Sequence, residues 1–169
     1  MKLRMNRPKE PFHVVLVKPE IPQNTGNIAR LCAATGTHLH LVGELGFQVD
    51  DKAVRRAGLD YWHLVTVERH PDLETCLDSL GCDNPVVLTT QSPRCYLEAP
   101  FRTGGVLVFG RETKGLSPEI MEKYEKHLYS IPTVTDSVRS LNLANAVSAA
   151  LYEALRATGT LAQGNLCYI

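Results

Sequence analysis

Short, continuously apolar segments alternate with amphipathic segments along almost the whole chain, and this alternation constrains the fold most. The predicted strands are residues 13–17, 38–42, 63–67, 85–90, 105–109 and 127–131. Strands that are apolar at successive positions are buried on both faces, which is typical of parallel sheets. We therefore predict an α/β fold with a mostly parallel sheet and helices on both of its faces.

Helices are predicted between these strands from apolar side chains spaced three and four residues apart. They cover residues 24–34, 50–58, 72–80, 117–124 and 142–157. Asn24 and Ser117 are expected as N-caps, with Pro118 as a first helical residue. Gly36 and Gly159 are expected to end the helices that precede them.

The composition predicts one domain without an overall charge. The chain has 169 residues, with 18 basic and 18 acidic side chains, so a nucleic acid would need a local basic patch. Its five cysteines include no C-x-x-C pair and its six histidines no H-E-x-x-H. We therefore expect no disulfide framework, no metal and a reducing, cytoplasmic environment. No apolar run approaches the ~20 residues of a membrane span, so no membrane partner is expected.

The two ends are expected to lie outside the folded domain. Residues 1–11 carry four basic side chains against one acidic side chain. They are predicted to form a solvated arm, and contact with phosphates is the alternative. Residues 12–160 would then be the domain, and residues 161–169 a C-terminal tail.

Three polar or glycine-rich segments follow strand ends, where parallel sheets bind their ligands. They are residues 22–30, 110–116 and 131–145. The second has two glycines around four polar residues, which suits a tight turn close to a ligand. It matches neither the Walker loop nor the dinucleotide fingerprint, and an ordinary strand-to-helix turn is the alternative. The third leads into an alanine-rich helix whose first N–H groups would face the loop.

Together the segments resemble the SPOUT superfamily of RNA methyltransferases, and within it the short, single-domain tRNA 2′-O-ribose methyltransferases of the TrmL (YibK) type. The resemblance covers residues 12–158. It is carried by PEIPQNTGNIARLCAATG (19–36), RRAGLDYW (55–62), LTT (88–90), LVFGRETKGL (107–116) and IPTVTDSVRSLNLANAVSAALYEALR (131–156). It implies a C-terminal deep trefoil knot and a homodimer formed through the C-terminal helix.

The resemblance also implies S-adenosylmethionine-dependent methylation of a tRNA ribose at wobble position 34, on cytidine or modified uridine in the anticodon region. The implied cofactor-binding residues are Leu88, Thr89, Gly110, Glu112, Gly115, Ile131, Ser140, Leu141 and Asn145. The implied catalytic residues are Arg30, Arg139 and Tyr152. The implied RNA-binding residues are Asn24, Asn27, Arg30, Arg55 and Lys114, with Lys52 and Arg56 in the same basic patch.

Several of these roles have alternatives. A guanidinium, with a pKa above about 12, is a poor proton acceptor, so Arg30 is expected to hold a phosphate and stabilise alkoxide charge. Glu112 either faces the sulfonium or orders its own loop. Tyr152 either positions the substrate or packs its helix. Val138 lengthens the segment before Ser140 by one residue and would alter the reach of Arg139.

Other functions stay open on the sequence alone. A nucleotide-dependent enzyme on a conventional doubly wound sheet is one, although both phosphate-loop patterns are absent. A non-catalytic RNA-binding or ribosome-assembly protein with the same fold is another. A third is 2′-O-methylation of a different tRNA or rRNA site.

Overall fold

A parallel sheet forms the centre of the fold. The computed structural model describes residues 1–47, 62–134, 136 and 138–169. The strands in these residues are β1 (Leu3–Met5), β2 (His13–Val17), β3 (His38–Val42), β4 (Val67–His70), β5 (Val86–Leu88), β6 (Val106–Phe109), β7 (Leu128–Tyr129) and β8 (Leu166–Tyr168). Strands β2 to β7 form one sheet in the order β4-β3-β2-β6-β5-β7, with parallel pairing throughout. The predicted mostly parallel α/β sheet is confirmed.

Helices cover both faces of this sheet. Those in the described residues are α1 (Pro22–Thr35), α2 (Leu73–Ser79), α3 (Pro118–Lys123) and α4 (Leu143–Ala157), with 3₁₀ turns at Trp62–Leu64, Tyr96–Glu98, Glu125–His127 and Gln163–Asn165. Ile28 of α1 and Leu151 of α4 pack in the core on one face. Leu73 of α2 and Ile120 of α3 pack on the other. None of the helices within these residues combines the length and the apolar character that a bilayer crossing requires.

Side-chain alternation along the strands supplies both layers of the core. In β3, Leu39 and Leu41 join the layer under α1 and α4, whereas Val42 joins the layer under α2 and α3. In β6, Leu107 joins the layer under α1 and α4, and Val108 joins the layer under α2 and α3. Because both faces are covered, every residue of β6 is buried, which explains the continuous apolar runs in the sequence.

The strand predicted at residues 63–67 is placed wrongly. Trp62–Leu64 forms a 3₁₀ turn, and the Val65 N–H donates to the Trp62 carbonyl at 3.3 Å. The chain therefore turns before it becomes extended at β4. The helix predicted at residues 50–58, with Lys52, Arg55 and Arg56, lies outside the described residues.

The predicted N-cap of α1 is also wrong. The helix begins at Pro22, and the N-cap is Ile21, whose side chain makes no capping hydrogen bond. Proline at a first helical position carries no N–H that would need a partner, so a side-chain cap is less needed there. Asn24 thus lies inside the first turn, and its side chain is available for other contacts. The predicted end at Gly36 is confirmed, with φ of 68° in the left-handed region.

The two ends of the chain pair with each other. Strands β1 and β8 are antiparallel, with Arg4 opposite Cys167. The Lys2 N–H donates to the Ile169 carbonyl at 2.6 Å, and the Ile169 N–H donates to the Lys2 carbonyl at 3.1 Å. Residues 3–5 of the predicted solvated arm are therefore a paired strand rather than a frayed end, although most of their surface is exposed. Three-residue strands are too short to leave a period-two pattern in the sequence.

Candidate active site

A cavity of about 750 Å³ lies at the carboxyl ends of β5, β6 and β7. It is lined by residues 88–92, 109–116, 130–133 and 139–143, together with Ile21, Asn24 and Ala146. This is the edge of a parallel sheet where ligands bind, and the volume suits a cofactor-sized molecule. All three polar segments noted in the sequence contribute to its wall.

Most of the residues predicted for the site line this cavity. Those that do are Asn24, Leu88, Thr89, Gly110, Glu112, Lys114, Gly115, Ile131, Arg139, Ser140 and Leu141. Among the described residues, Asn27, Arg30, Asn145 and Tyr152 were also predicted for the site but do not belong to the lining. All four are exposed on α1 or α4. One cavity in one chain therefore brings together only part of the predicted site.

Two glycines make the turn after β6 possible. The Gly115 N–H donates to the Arg111 carbonyl at 3.0 Å, and the Arg111 N–H donates to the Gly115 carbonyl at 3.3 Å. Gly115 has a φ of +64°, which side chains disfavour, and a Cβ on Gly110 would lie 2.4 Å from the Gly115 carbonyl carbon. The predicted tight turn is confirmed, and neither glycine tolerates a side chain without a change in the backbone.

Glu112, at the tip of this turn, binds the entrance of α1. Its carboxylate accepts hydrogen bonds from the Glu20 N–H at 2.8 Å, the Ile21 N–H at 3.1 Å and the Asn24 amide at 3.1 Å. These contacts correspond to the alternative in which Glu112 orders its own loop. They also satisfy N–H groups at the helix start that have no partner within the helix.

Glu20, just before α1, in turn binds Thr113 of the turn after β6. Its carboxylate accepts from the Thr113 hydroxyl at 2.7 Å and from the Thr113 N–H at 3.1 Å. These hydrogen bonds hold the pKa of Glu20 below its ordinary value, with the hydroxyl contact as the largest cause. The turn and the helix entrance are thus joined by reciprocal carboxylate contacts.

A second link runs from Asn24 to the start of α4. The Asn142 amide donates to the Asn24 side-chain oxygen at 2.9 Å, and the Asn142 side-chain oxygen accepts from the Ala144 N–H at 2.9 Å. The orientations are mutually fixed, because the Ala144 N–H only donates and the Glu112 carboxylate only accepts. We call these three side chains the Glu112–Asn24–Asn142 network. It joins all three polar segments of the sequence.

Ser130 holds the opposite wall of the cavity. Its hydroxyl oxygen lies 2.7 Å from the carbonyl oxygens of both Thr89 and Ser92, and it accepts from the Ser92 N–H at 3.1 Å. The Arg94 guanidinium donates to the carbonyls of Glu125 and Lys126 at 2.6 and 2.7 Å. The segment after β5 is therefore tied to β7 and needs no ligand to fix its position.

Asn142 and Ser130 were not predicted as site residues. The sequence marked Asn142 only as part of the opening of a helix, and nothing local to Ser130 distinguishes it. The resemblance predicts Asn145, the second asparagine of the same N-x-x-N pattern, instead. Its side chain is exposed on α4, whereas its N–H lies 3.4 Å from the Asn142 side-chain oxygen.

Comparisons with known sequences match most of the chain. The profile of the SpoU rRNA Methylase family matches residues 11–152. A tRNA (cytidine(34)-2'-O)-methyltransferase of Methylovorus glucosotrophus is 45% identical over 146 residues, which cover 86% of this chain and 94% of that protein. An Escherichia coli K12 protein of the same name is 45% identical over 149 residues, covering 88% of this chain and 94% of that protein.

Solved structures are similar over the same part of the chain. A structure described as giving insights into the 2-OH methylation of C/U34 on tRNA has a TM-score of 0.79 and 42% identity, covering 87% of this chain and 95% of that one. The SpoU methyltransferase AviRb from Streptomyces viridochromogenes, in complex with AdoMet, has a TM-score of 0.74 and 28% identity. It covers 88% of this chain and 60% of AviRb.

The turn after β6 gives the first prediction. Gly110→Ala should lower the free energy of unfolding by about 1–3 kcal/mol, because its Cβ overlaps the Gly115 backbone. Gly164→Ala is the matched control, since a Cβ there meets nothing within 4 Å, and its effect should stay below about 0.5 kcal/mol. Urea denaturation of both variants makes the comparison. Equal decreases in the free energy of unfolding would show that the turn does not require a residue without a Cβ at position 110.

The network gives the second prediction. Asn24→Asp replaces the amide donor by a carboxylate that faces Glu112, so the free energy of unfolding should fall by about 2–4 kcal/mol at neutral pH. The difference in unfolding free energy between wild type and variant should shrink as the pH falls toward about 4. A protonated carboxyl group at position 24 can donate a hydrogen bond to Glu112 again. Gln23→Glu, an exposed amide-to-carboxylate change on the same helix, is the control. A similar loss in both variants, or a pH-independent deficit, would remove Asn24 from the network.

Proposed function

The chain belongs to the SpoU rRNA methylase family, and we propose that it transfers a methyl group from S-adenosylmethionine to the ribose 2′-hydroxyl of nucleotide 34 in tRNA. The substrate nucleotide is cytidine or a modified uridine. The observation that carries the proposal is the cavity, because the three polar segments that carry the resemblance to tRNA methyltransferases all contribute to its lining. The names of the relatives, and the C/U34 structure, support the same position. We propose that the activity is cytoplasmic, in keeping with a tRNA substrate.

The lining of the cavity suits S-adenosylmethionine. Leu88, Ile131 and Leu141 offer an apolar slot for an adenine ring, and the hydroxyls of Thr89 and Ser140 offer polar partners. Gly110 lets the turn beside the cavity close on itself, because a Cβ there would overlap the backbone of Gly115 and Leu116. When bound, S-adenosylmethionine supplies an electrophilic methyl group. Glu112 fixes this wall in place, because its oxygens accept hydrogen bonds from Glu20, Ile21 and Asn24 at the entrance of α1.

The protein itself must place the 2′-hydroxyl and hold the RNA. Arg111, Lys114 and Arg139 all line the cavity, so its mouth carries a local concentration of positive charge although the chain is neutral overall. Such side chains bind phosphates and orient the strand without reading its sequence. Positioning of this kind can supply much of the rate enhancement for an in-line displacement. The roles of Arg139 and Lys114 as active-site and RNA-binding cations stay predictions, and their place in the cavity lining supports them.

Arg30 and Tyr152 require a second copy of the chain. Both lie on exposed sides of α1 and α4, outside the cavity lining of their own chain, and Tyr152 is 47% exposed. Leu141, which lines the cavity, and Val138, in the same segment before α4, are also exposed apolar side chains. We propose that a symmetric dimer buries this face through α4 and brings Arg30 and Tyr152 of one copy to the cavity of the other. Asn27 and Asn145 would belong to the same interface.

The family resemblance also suggests how the C-terminal part of the chain is threaded. We propose that the C-terminal part of the chain is threaded through a loop formed by the preceding strands, giving the deep trefoil knot. The order β6-β5-β7 supports this, because β7 pairs beside β5 before the chain returns to α4 on α1. A crystal structure traced through residues 128–143 decides it. A trace that pulls into an unknotted line when its ends are drawn apart would exclude the knot.

The proposed function is tested by nucleoside mass spectrometry of tRNA from a strain that lacks the gene. We expect loss of 2′-O-methylated nucleoside at position 34 alone, and its return when the gene is restored. An unchanged nucleotide 34 would refute the proposed position. Calorimetry with S-adenosylmethionine separates methyl transfer from a non-catalytic RNA-binding role, because only the enzyme needs the methyl donor.

Arg30→Ala gives the third prediction. Methylation should fall at least about 100-fold, because a cation that stabilises alkoxide charge is lost. Binding of S-adenosylmethionine, measured by calorimetry, should stay near that of the wild type, since Arg30 does not line the cavity. Arg156→Ala is the control, because this exposed arginine on α4 pairs with Glu153 at 2.7 Å. Wild-type turnover in Arg30→Ala would remove Arg30 from the mechanism.

The dimer gives the fourth prediction. Arg30→Ala and Arg139→Ala chains, each inactive alone, should regain about a quarter of wild-type activity when unfolded together and refolded at equal amounts. In the mixed dimer, one cavity then receives Arg139 from its own chain and Arg30 from the partner. Light scattering on the same sample measures the mass. No recovered activity in a sample with dimer mass would place Arg30 in the cavity of its own chain.

A further inference from the structure

A cluster of histidines lies on the other face of the sheet from α1 and α4. His13 of β2, His40 of β3 and His70 of β4 follow one another across adjacent strands. The His13 Nδ1 lies 2.9 Å from the His40 Nε2, and the His40 Nδ1 lies 3.1 Å from the His70 Nε2. The side chain of His40 is completely buried. None of these residues lines the active-site cavity.

A buried cysteine completes a set of possible ligands. Cys76 of α2 packs against the same side of the sheet, and its Sγ and one ring nitrogen each of His40 and His70 all lie within 4.8 Å of one another. Tetrahedral zinc, with bonds of about 2.0–2.1 Å to nitrogen and 2.3 Å to sulfur, places its ligand atoms about 3.3–3.6 Å apart. Shifts of about 1 Å or less in the side chains bring the three atoms to those separations.

Glu68 offers a fourth ligand. It lies two residues before His70 in β4, on the same face of the strand, and its Oε2 is 3.9 Å from the His70 Nε2. Two neutral imidazoles, one thiolate and one carboxylate together balance the charge of a divalent ion. A site with no net charge avoids the cost of an unpaired charge in a protein interior.

The contact between His13 and His40 supports the arrangement from outside. A histidine that binds a metal through one ring nitrogen usually donates its other N–H to a neighbouring acceptor. With the His40 Nδ1 toward the ion, its Nε2–H donates to the His13 Nδ1 at 2.9 Å.

We propose that His40, His70 and Cys76, with Glu68 as the fourth ligand, bind a divalent transition-metal ion of the zinc type. On binding, the Cys76 thiol loses its proton to solvent and the sulfur forms a bond to the ion. The ion joins β3, the edge strand β4 and α2, so its role is structural. The sequence expectation of no metal rested on linear motifs, whereas His40 and His70 are 30 residues apart and meet only through strand pairing.

The test is cobalt titration of the purified full chain after treatment with a chelator. Co²⁺ should bind in an equimolar amount, with a thiolate-to-cobalt charge-transfer band and the visible bands of a tetrahedral site, and Zn²⁺ should displace it. Cys76→Ser should remove the charge-transfer band, and His70→Ala should weaken binding at least about 10-fold. Cys82→Ser is the matched control, because Cys82 packs against the same core layer but is not in the cluster.

Two outcomes overturn the proposal. One is the absence of a charge-transfer band in the wild type, and the other is a band that Cys82→Ser removes while Cys76→Ser keeps it. If Cys76→Ser fails to fold, X-ray absorption on the zinc-loaded wild type decides. It should show a sulfur neighbour at about 2.3 Å, and a shell of nitrogen and oxygen alone refutes the site. Either result leaves the proposed methyl transfer unaffected, because the cluster does not line the active-site cavity.

Discussion

The Glu112–Asn24–Asn142 network is the contact on which the candidate active site depends. Glu112 and Asn24 are 88 residues apart, and Asn24 and Asn142 are 118 residues apart, yet their side chains form consecutive hydrogen bonds. Asn24 is only 5% exposed, so leaving its amide without partners would cost about 1–3 kcal/mol. The network therefore holds the turn after β6, the start of α1 and the start of α4 in one arrangement. Without these hydrogen bonds, no side-chain contact of the network would join the three parts of the cavity wall.

This arrangement separates two tasks that the sequence assigned to one site. Residues that line the cavity are held by contacts within one chain, through the network on one side and Ser130 on the other. Arg30 and Tyr152, proposed for the chemistry on the RNA, lie on the exposed sides of α1 and α4. In the proposed dimer, the donor site is preformed in each chain, whereas the acceptor chemistry depends on assembly. Such a division would keep the methyl donor away from hydroxyls that are not presented by a bound RNA.

Much of the fold could be predicted because its signals are local. Continuous apolar runs marked five of the six strands of the parallel sheet. Gly36 marked the C-terminal end of α1, and Pro118 marked the start of α3. Strand ends also indicated which segments meet, since the carboxyl ends of parallel strands share one edge. The errors arise where partners are distant. Asn24 looked like a cap because capping is local, whereas its observed partners lie far along the chain. The pairing of β1 with β8, and the histidine cluster, depend on contacts that no short pattern records.

The central claim is that this cavity supports methylation of one ribose hydroxyl on tRNA. The most direct measurement is methyl transfer by the purified chain from isotope-labelled S-adenosylmethionine to two synthetic anticodon stem-loops. One carries cytidine at position 34, and the other carries 2′-deoxycytidine there. Label should enter the first at the 2′-oxygen of nucleotide 34 and should not enter the second. Equal labelling of both substrates, or none of either, would contradict the claim.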